Sequence, residues 1–296
     1  MERGCGVWVR VLGSAAGGGS PQWNCGCRVC TAVRVRGGPV RTQSSIAVSA
    51  DRERWLLINC SPDVRTQIEA APALHPHGAR ATPIAAVLLT DAELDHTLGL
   101  LLLREARTVL LYATAAVRTT LCDGSGVLRT LERYCAVDWR AVVPGADLPL
   151  ADGLSCRAFD VPTTKHDRFG LGVDHGRVVG YRLTDERTGG TLVYLPGVQA
   201  LTAALRTEIA GCRCLLIDGT CWCDDEVPGK TSRDMGHLPV EGRDGSLAQL
   251  PSLGVGRAIY VHMNNTNPIL LDDTPERRIV EEHGAEVAMD GLEVEV

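Results

Sequence analysis

Aromatic residues are scarce in this 296-residue chain: they make up 4 %, and only two are Phe. A core must therefore rest on Val, Leu, Ile and Ala, which the 45 % hydrophobic content can supply. A basic excess is also missing. The net charge is −6 and the pI is near 5.8. Nucleic acid is excluded as the main partner, because phosphate binding needs a basic face. No run approaches the roughly 20 apolar residues of a membrane span, so no membrane partner is expected. Residues 1–12 show a polar start and one apolar strand, without the continuous apolar stretch of a secretory signal. Repeats, low-complexity tracts and long linkers are lacking too, and residues 1–296 are expected to form a single domain. A homo-oligomer stays open.

Cysteine, by contrast, is plentiful, with twelve residues. In a chain without an export signal the thiols stay reduced, and the expected location is cytoplasmic. Clustered cysteines then read as metal ligands rather than disulfides. Short apolar runs predict strands at 7–12, 44–49, 55–59, 84–90, 107–111, 178–183, 191–195, 214–218, 257–262 and 287–289. Helices are predicted at 62–70, with Ser61 as N-cap and Pro62 first, and at 95–104, 113–121, 198–210 and 274–283. Residues 165–177, rich in Gly, Asp and His, read as a mobile loop, and 180–190 as a hairpin. Strands and helices mixed throughout point to an α/β chain with two sheets sandwiched by helices.

Three constellations carry chemistry. Cys25, Cys27 and Cys30 lie within six residues, with Gly26 between the first two. That spacing suits a compact zinc knuckle, which needs a fourth ligand from elsewhere. Asp91, Glu93, Asp95 and His96 follow the apolar run 84–89 and open a helix. Taken alone, they read equally well as an acidic helix N-terminus or as metal ligands. Two further apolar runs end in Asp218 and in His262. Three strands ending this way suggest ligands converging on one edge. Asp95, His96, Asp218 and His262 form an N2O2 set suited to Fe(II), Mn(II) or Zn(II). His237 is a candidate for an outer-sphere or acid/base role. Residues 13–19, rich in Gly, lack the spacing of a phosphate loop and read as a tight turn with close backbone approach. His166 and His175 read as solvated, Cys212, Cys221 and Cys223 as packing residues. Arg41 reads as a surface residue or as a partner for a substrate carboxylate.

Together these residues resemble the metallo-β-lactamase-like superfamily and, within it, the family of pyrroloquinoline quinone (PQQ) biosynthesis protein B. The matching stretches are VLGSAAGGG, PQWNCGC with the following VC, RTQSSIAVS, LLTDAELDHTLGLLLLRE, LLIDGT, MGHL and HMNNTNPIL. They span nearly the whole chain; residues 112–177 are the least characteristic. The resemblance implies an αββα sandwich of the metallo-β-lactamase-like fold, with a metal site at one edge. The superfamily's hydrolases carry a His-x-His-x-Asp-His motif, and here its positions hold Asp91, Glu93, Asp95 and His96. Both leading histidines are replaced, a departure shared with the family of protein B. Asp95 and His96 match ligands of the second hydrolase metal, Asp218 the bridging carboxylate and His262 the final histidine.

The resemblance therefore implies one site holding Fe(II), and O2-dependent hydroxylation of the tyrosine ring in a small Glu-Tyr-derived precursor of PQQ. Asp91, Glu93 and His237 are the candidate catalytic groups, with Asp91 and Glu93 offering hydrogen bonds or a proton acceptor to the phenol. Two other readings stand beside it. One is a binuclear hydrolase in which Asp91 and Glu93 hold a second, harder ion. The other is a non-catalytic carrier or transport factor for PQQ or its precursor, which nothing membranous in the sequence supports. In a related phosphodiesterase branch a His completes the Cys zinc site; Asn265 stands at that position here. Asn is a poor zinc ligand, so water or a carbonyl oxygen is expected to complete the Zn(II) site.

Overall fold

The computed structural model describes residues 6–150, 153–172 and 175–296. Strands β1 (Trp8–Gly13), β2 (Ser45–Ser49), β3 (Trp55–Ile58), β4 (Ile84–Leu88), β5 (Thr108–Thr114) and β6 (Ala136–Val142) lie in one sheet. Strands β7 (Asp147–Pro149), β8 (Leu154–Asp160), β9 (Val179–Asp185), β10 (Thr191–Leu195), β11 (Cys214–Asp218), β12 (Arg257–Val261) and β13 (Glu286–Val287) form the other. The last strand, β14 (Glu293–Glu295), returns to pair antiparallel with β1.

The period-two alternation of these strands decides the layers. In β11, Cys214 and Leu216 face the space between the sheets, while Leu215 and Ile217 face outward. The inner layer joins Val9, Val11, Ile46 and Leu88 of the first sheet to Tyr181, Leu183, Leu216 and Ile259 of the second. On the outer face of the first sheet pack residues of α2 (Val64–Glu69), α4 (Ala115–Thr119) and α5 (Val127–Leu131). On the outer face of the second pack residues of α1 (Arg28–Arg36), α6 (Ala203–Ile209), α7 (Ser246–Gln249) and α8 (Pro275–Glu282). The result is the αββα sandwich that the resemblance implies. Among the described residues, no helix is long and apolar enough to cross a membrane.

Strands β3–β6 run parallel to one another, as do β10–β13. Parallel strands are buried on both faces, so they read as continuous apolar runs, and their C-terminal ends open toward one edge. The ends of β4, β11 and β12 therefore deliver residues 89–97, 218–220 and 262 to the same rim. The rim is tied across the sandwich: Tyr181 Oη donates to Leu89 O at 2.7 Å and Val179 N donates to Thr90 O at 2.8 Å.

Most predicted strands are present within a few residues, and the hairpin at 180–190 is there as β9–β10. The helices differ more. The predicted helix 198–210 is helical only over Ala203–Ile209, because Val198 N is taken by Asp218 Oδ2 at 2.9 Å and Thr202 supplies the cap. Ser61 does not cap α2. Its hydroxyl contacts Gln67 Oε1 and accepts from Asp63 N, and the helix starts at Val64, beyond Pro62. Residues 113 and 114 extend β5, and Thr114 Oγ1 then caps α4. The predicted helix 95–104 has one α-helical turn, α3 (Leu94–Thr97), and continues as a 3-10 helix, Leu98–Leu103. Gly99 lies in it so close to the chain that a Cβ would fall 2.0 Å from Ser61 O. The reading missed β6, β7, β8, β14, the helices α5 and α7, and the helix α1 that directly follows the cysteine cluster.

Candidate functional site

Thr90 follows β4 and is locked by Asn59, whose Oδ1 accepts from Thr90 N at 3.0 Å. Asp91 is thereby turned inward. Its oxygens lie 2.9 and 2.7 Å from His96 Nδ1, and Oδ1 also accepts from Glu93 N at 2.9 Å. With Nδ1–H given to Asp91, His96 presents Nε2, and that atom is buried without a hydrogen-bond partner. Asp95 Oδ2 stands 3.8 Å from it and 3.3 Å from His262 Nε2. An orphaned imidazole nitrogen facing a carboxylate oxygen and a second imidazole nitrogen fits a cation. The atoms offered by Asp95, His96 and His262 all lie within 4.8 Å of one another.

Charge supports the same reading. Burial alone would lower the His96 pKa, but Asp91 and Asp95 on either side outweigh it and raise it to about 9. Burial would raise Asp95, yet His96 and His262 hold it far below the usual carboxylate range. Burial lowers His262, and the neighbouring Asp95 carboxylate only partly offsets this. The carboxylates that favour a proton on the His96 ring are the same groups that would favour a divalent cation there, so proton and metal would compete for the site.

His262 ends β12 at φ +56°, an uncommon backbone region for histidine. Its Nδ1 lies 2.8 Å from Thr220 Oγ1. That hydroxyl donates to Asp218 Oδ1 at 2.6 Å, so it accepts from His262 and leaves Nε2 free to face Asp95. Asp218 is fully buried and its oxygens are spent. Oδ1 accepts from Thr220 N and Oγ1, and Oδ2 from Val198 N and His237 Nδ1. Burial would raise Asp218, but His237 at 2.7 Å pulls it down. His237 stacks on His262 with ring centroids 5.2 Å apart.

The four residues expected as one ligand set are thus arranged differently. Asp95, His96 and His262 form one trio; Asp218 joins His237 and His262 in another, with His262 shared. Asp91 backs His96, and Glu93 turns outward to Lys165 and Arg168 at 2.8 and 3.4 Å. The Gly-rich turn does approach closely: a Cβ on Gly17 would lie 3.3 Å from Asp95 Oδ2. Arg41 is not a surface residue. It is buried, with Nη1 on Leu270 O at 2.9 Å and Nε on Ala288 O at 3.4 Å. His166 and His175 are exposed. Thr220, Lys165 and Arg168 went unnoticed in the sequence, although Thr220 sits in the LLIDGT stretch.

The cysteine cluster assembles at the start of α1. Cys25, Cys27 and Cys30 bring their sulfurs within 4.8 Å of one another. Backbone N–H groups of Gln22, Cys27 and Cys30 each point at a sulfur at 3.4 Å, a setting that stabilises thiolates. The hydrogen bond from Cys27 N lowers Cys25, while burial raises Cys27 to about 11. Asn265 closes the open side. Its backbone oxygen lies 3.5 and 3.7 Å from the Cys27 and Cys30 sulfurs, and its side-chain amide 3.3 Å from Cys30. Three thiols with a nearby carbonyl oxygen fit zinc. Among the described residues, Cys212, Cys221 and Cys223 join no such group.

Residues 54–263 match the family model of the β-lactamase superfamily domain. The chain is 42 % identical to coenzyme PQQ synthesis protein B of Methylococcus capsulatus, over 97 % of this chain and 99 % of that protein. With the same-named protein of Cupriavidus necator the identity is 43 %, over 97 % and 98 %. The crystal structure of Zn(2+)-bound PqqB from Methylobacterium extorquens is similar at TM-score 0.90 and 41 % identity, covering 98 % of this chain and 100 % of that one. A diphosphatase of the PhnP family shares the fold at TM-score 0.71 and 23 % identity, covering 98 % and 97 %.

Proposed function

Since the chain belongs to the coenzyme PQQ synthesis protein B family, within the β-lactamase superfamily, we propose that it is an iron(II)- and O2-dependent hydroxylase of the tyrosine ring in a Glu-Tyr-derived PQQ precursor. Involvement in PQQ biosynthesis, a metallo-β-lactamase fold and metal binding follow from the family and the matching structure. The hydroxylase reading is carried by one observation: of the two trios with two imidazoles and one carboxylate, only that of Asp95, His96 and His262 has an unpartnered buried ring nitrogen, His96 Nε2, among the described residues. Two histidines and one carboxylate with open positions suit a non-haem oxygenase.

In this reading Asp95, His96 and His262 would hold the iron, and Cys25, Cys27 and Cys30 a structural zinc. Iron(II) there would supply O2 chemistry, with two electrons drawn from an external reductant. Asp91 keeps the proton on His96 Nδ1, and Thr220 keeps that on His262 Nδ1, so both rings offer Nε2. Asp218 likewise fixes His237 through Nδ1, which leaves His237 Nε2 to exchange a proton with the phenol. The trio of Asp218, His237 and His262 favours a second reading, a binuclear hydrolase. Against it, a carboxylate has about four acceptor positions, and protein donors already fill them on Asp218.

Oxygen uptake by anaerobically iron-loaded protein, given Glu-Tyr and a reductant, tests the proposal. Uptake coupled to a mass gain of one oxygen atom per ring is expected. Anomalous scattering that places two metals beside Asp95 at full occupancy, with no oxygen uptake, would overturn it in favour of hydrolysis.

A further inference from the structure

Lys165 lies where the two halves of the site meet. Its ammonium is 2.8 Å from Glu93 Oε1, and Arg168 Nε is 3.4 Å from Glu93 Oε2, so one carboxylate carries two cations. Glu93 belongs to the first half: its backbone oxygen accepts from His96 N at 3.0 Å and from Thr97 Oγ1 at 2.8 Å. Gly236, beside His237, belongs to the second. A Cβ on Gly236 would lie 3.2 Å from Lys165 Cδ. The lysine therefore spans the mouth from the His96 turn to the His237 turn.

Its loop is held in place. Thr164 N donates to Gln199 Oε1 at 2.8 Å, and Gln199 Nε2 donates to Arg233 O at 2.8 Å. Arg177 Nη2 donates to Lys165 O at 3.1 Å. Asp167, the acidic residue between the two cations, is spent on Phe169 N and Leu171 N. Lys165, Arg168 and Glu93 sum to one positive charge, while the Asp167 carboxylate interacts with Arg177. The pair is partly solvated, with side-chain exposures of 22 % for Lys165 and 34 % for Glu93. Exchange of Glu93 for another carboxylate is then cheap, because it replaces one ion pair by a like one.

We infer that Lys165 and Arg168 form the carboxylate-binding arm of the substrate site, and that Glu93 is an internal stand-in that a substrate carboxylate displaces. The inference rests on the reading of a carboxylate-bearing, Glu-Tyr-derived substrate and adds where its anionic end docks. It also moves Glu93 from proton acceptor to competitor.

Isothermal titration of the zinc-loaded full chain, which cannot turn over, tests it with Glu-Tyr, with the uncharged-side-chain amide Gln-Tyr-NH2 and with glutarate. Melting temperature and zinc content first establish that the variants are intact. Lys165→Met should weaken Glu-Tyr at least about tenfold and change Gln-Tyr-NH2 by less than about twofold, with Arg168→Gln acting in the same direction. Glu93→Gln should tighten Glu-Tyr severalfold, since the internal competitor is gone, and added salt should weaken binding. Equal losses for the charged and uncharged dipeptides, or weaker binding after Glu93→Gln, would overturn the arm. Should the wild type ignore Glu-Tyr but bind glutarate in a Lys165-dependent way, the arm stands and the peptide-substrate reading falls. Should neither ligand depend on Lys165, the arm falls, and oxygen uptake still decides the hydroxylase.

Discussion

Asp91 stands where hydrolases of this fold have a metal-binding histidine, yet it faces the back of His96, at 2.7 Å from Nδ1. Replacing Asp91 by Ala removes the acceptor that keeps His96 in the Nε2-presenting tautomer. Hydrogen-bond partners of this kind are worth roughly 10–100-fold in metal affinity, about 1.4–2.7 kcal/mol. The upper end applies here, because the carboxylate is buried and both its oxygens reach Nδ1. A second effect opposes the first. Asp91, together with Asp95, also raises His96 to about 9, so at neutral pH a proton competes with metal in the wild type. Without Asp91 that competition shrinks. Zinc affinity, measured against a chromophoric chelator, should therefore fall about 100-fold at pH 9.5 in the Asp91→Ala variant, and the loss should narrow as the pH drops to 7. Asp91→Asn, which keeps an acceptor but not the charge, should lie between. A folded Asp91→Ala protein that binds zinc within about twofold of wild type at pH 9.5, or whose loss is the same at both pH values, would refute the tautomer argument.

Three other outcomes follow from the same geometry. His96→Ala and His262→Ala should each abolish iron-dependent oxygen uptake and weaken metal binding beyond the roughly 100-fold of the Asp91 change, with circular dichroism unaltered; retained turnover would place the metal elsewhere. The double change Cys27→Ser, Cys30→Ser should remove about one zinc per chain and lower the melting temperature, whereas unchanged zinc content would dismiss the structural site. Asp185, at the β9–β10 turn, is held below the usual carboxylate range by hydrogen bonds from Arg187. Its contribution is present above the unfolded pKa and lost as the pH falls through the folded one, so Asp185→Asn should cost about 1 kcal/mol near neutrality, trimmed by screening at the 42 %-exposed Arg187. Urea titrations of the two proteins should converge below roughly pH 4; a constant difference down to pH 2 would show that the charge plays no part.

The central strands were legible because parallel strands buried on both faces must be apolar throughout, and the runs of β4, β11 and β12 lead into Thr90, Asp218 and His262 at one rim. The edge strands were not. β6 is half exposed and mixes Asp138 and Arg140 among apolar neighbours, and β14 exists only because β1, at the other end of the chain, offers it a free edge. Helix starts failed wherever a distant side chain claimed the backbone first, as Asp218 claims Val198 N. The same distinction runs through the site. Residue types at strand ends announce Asp95, His96, Asp218 and His262 as candidate ligands, but a candidate becomes a ligand only if its lone pairs remain free after folding. His96 Nε2 does remain free, because Asp91 takes the opposite nitrogen. Asp218 does not, because its oxygens accept from Thr220, two residues on in the same turn, and from Val198 and His237 of two other segments. That Val198 and His237 reach Asp218 is decided by packing between segments, and no spacing within one segment can encode it. The hydroxyl of Thr220 and the ammonium of Lys165 were invisible for that reason: each acquires its role only by standing between two turns that the sandwich brings together.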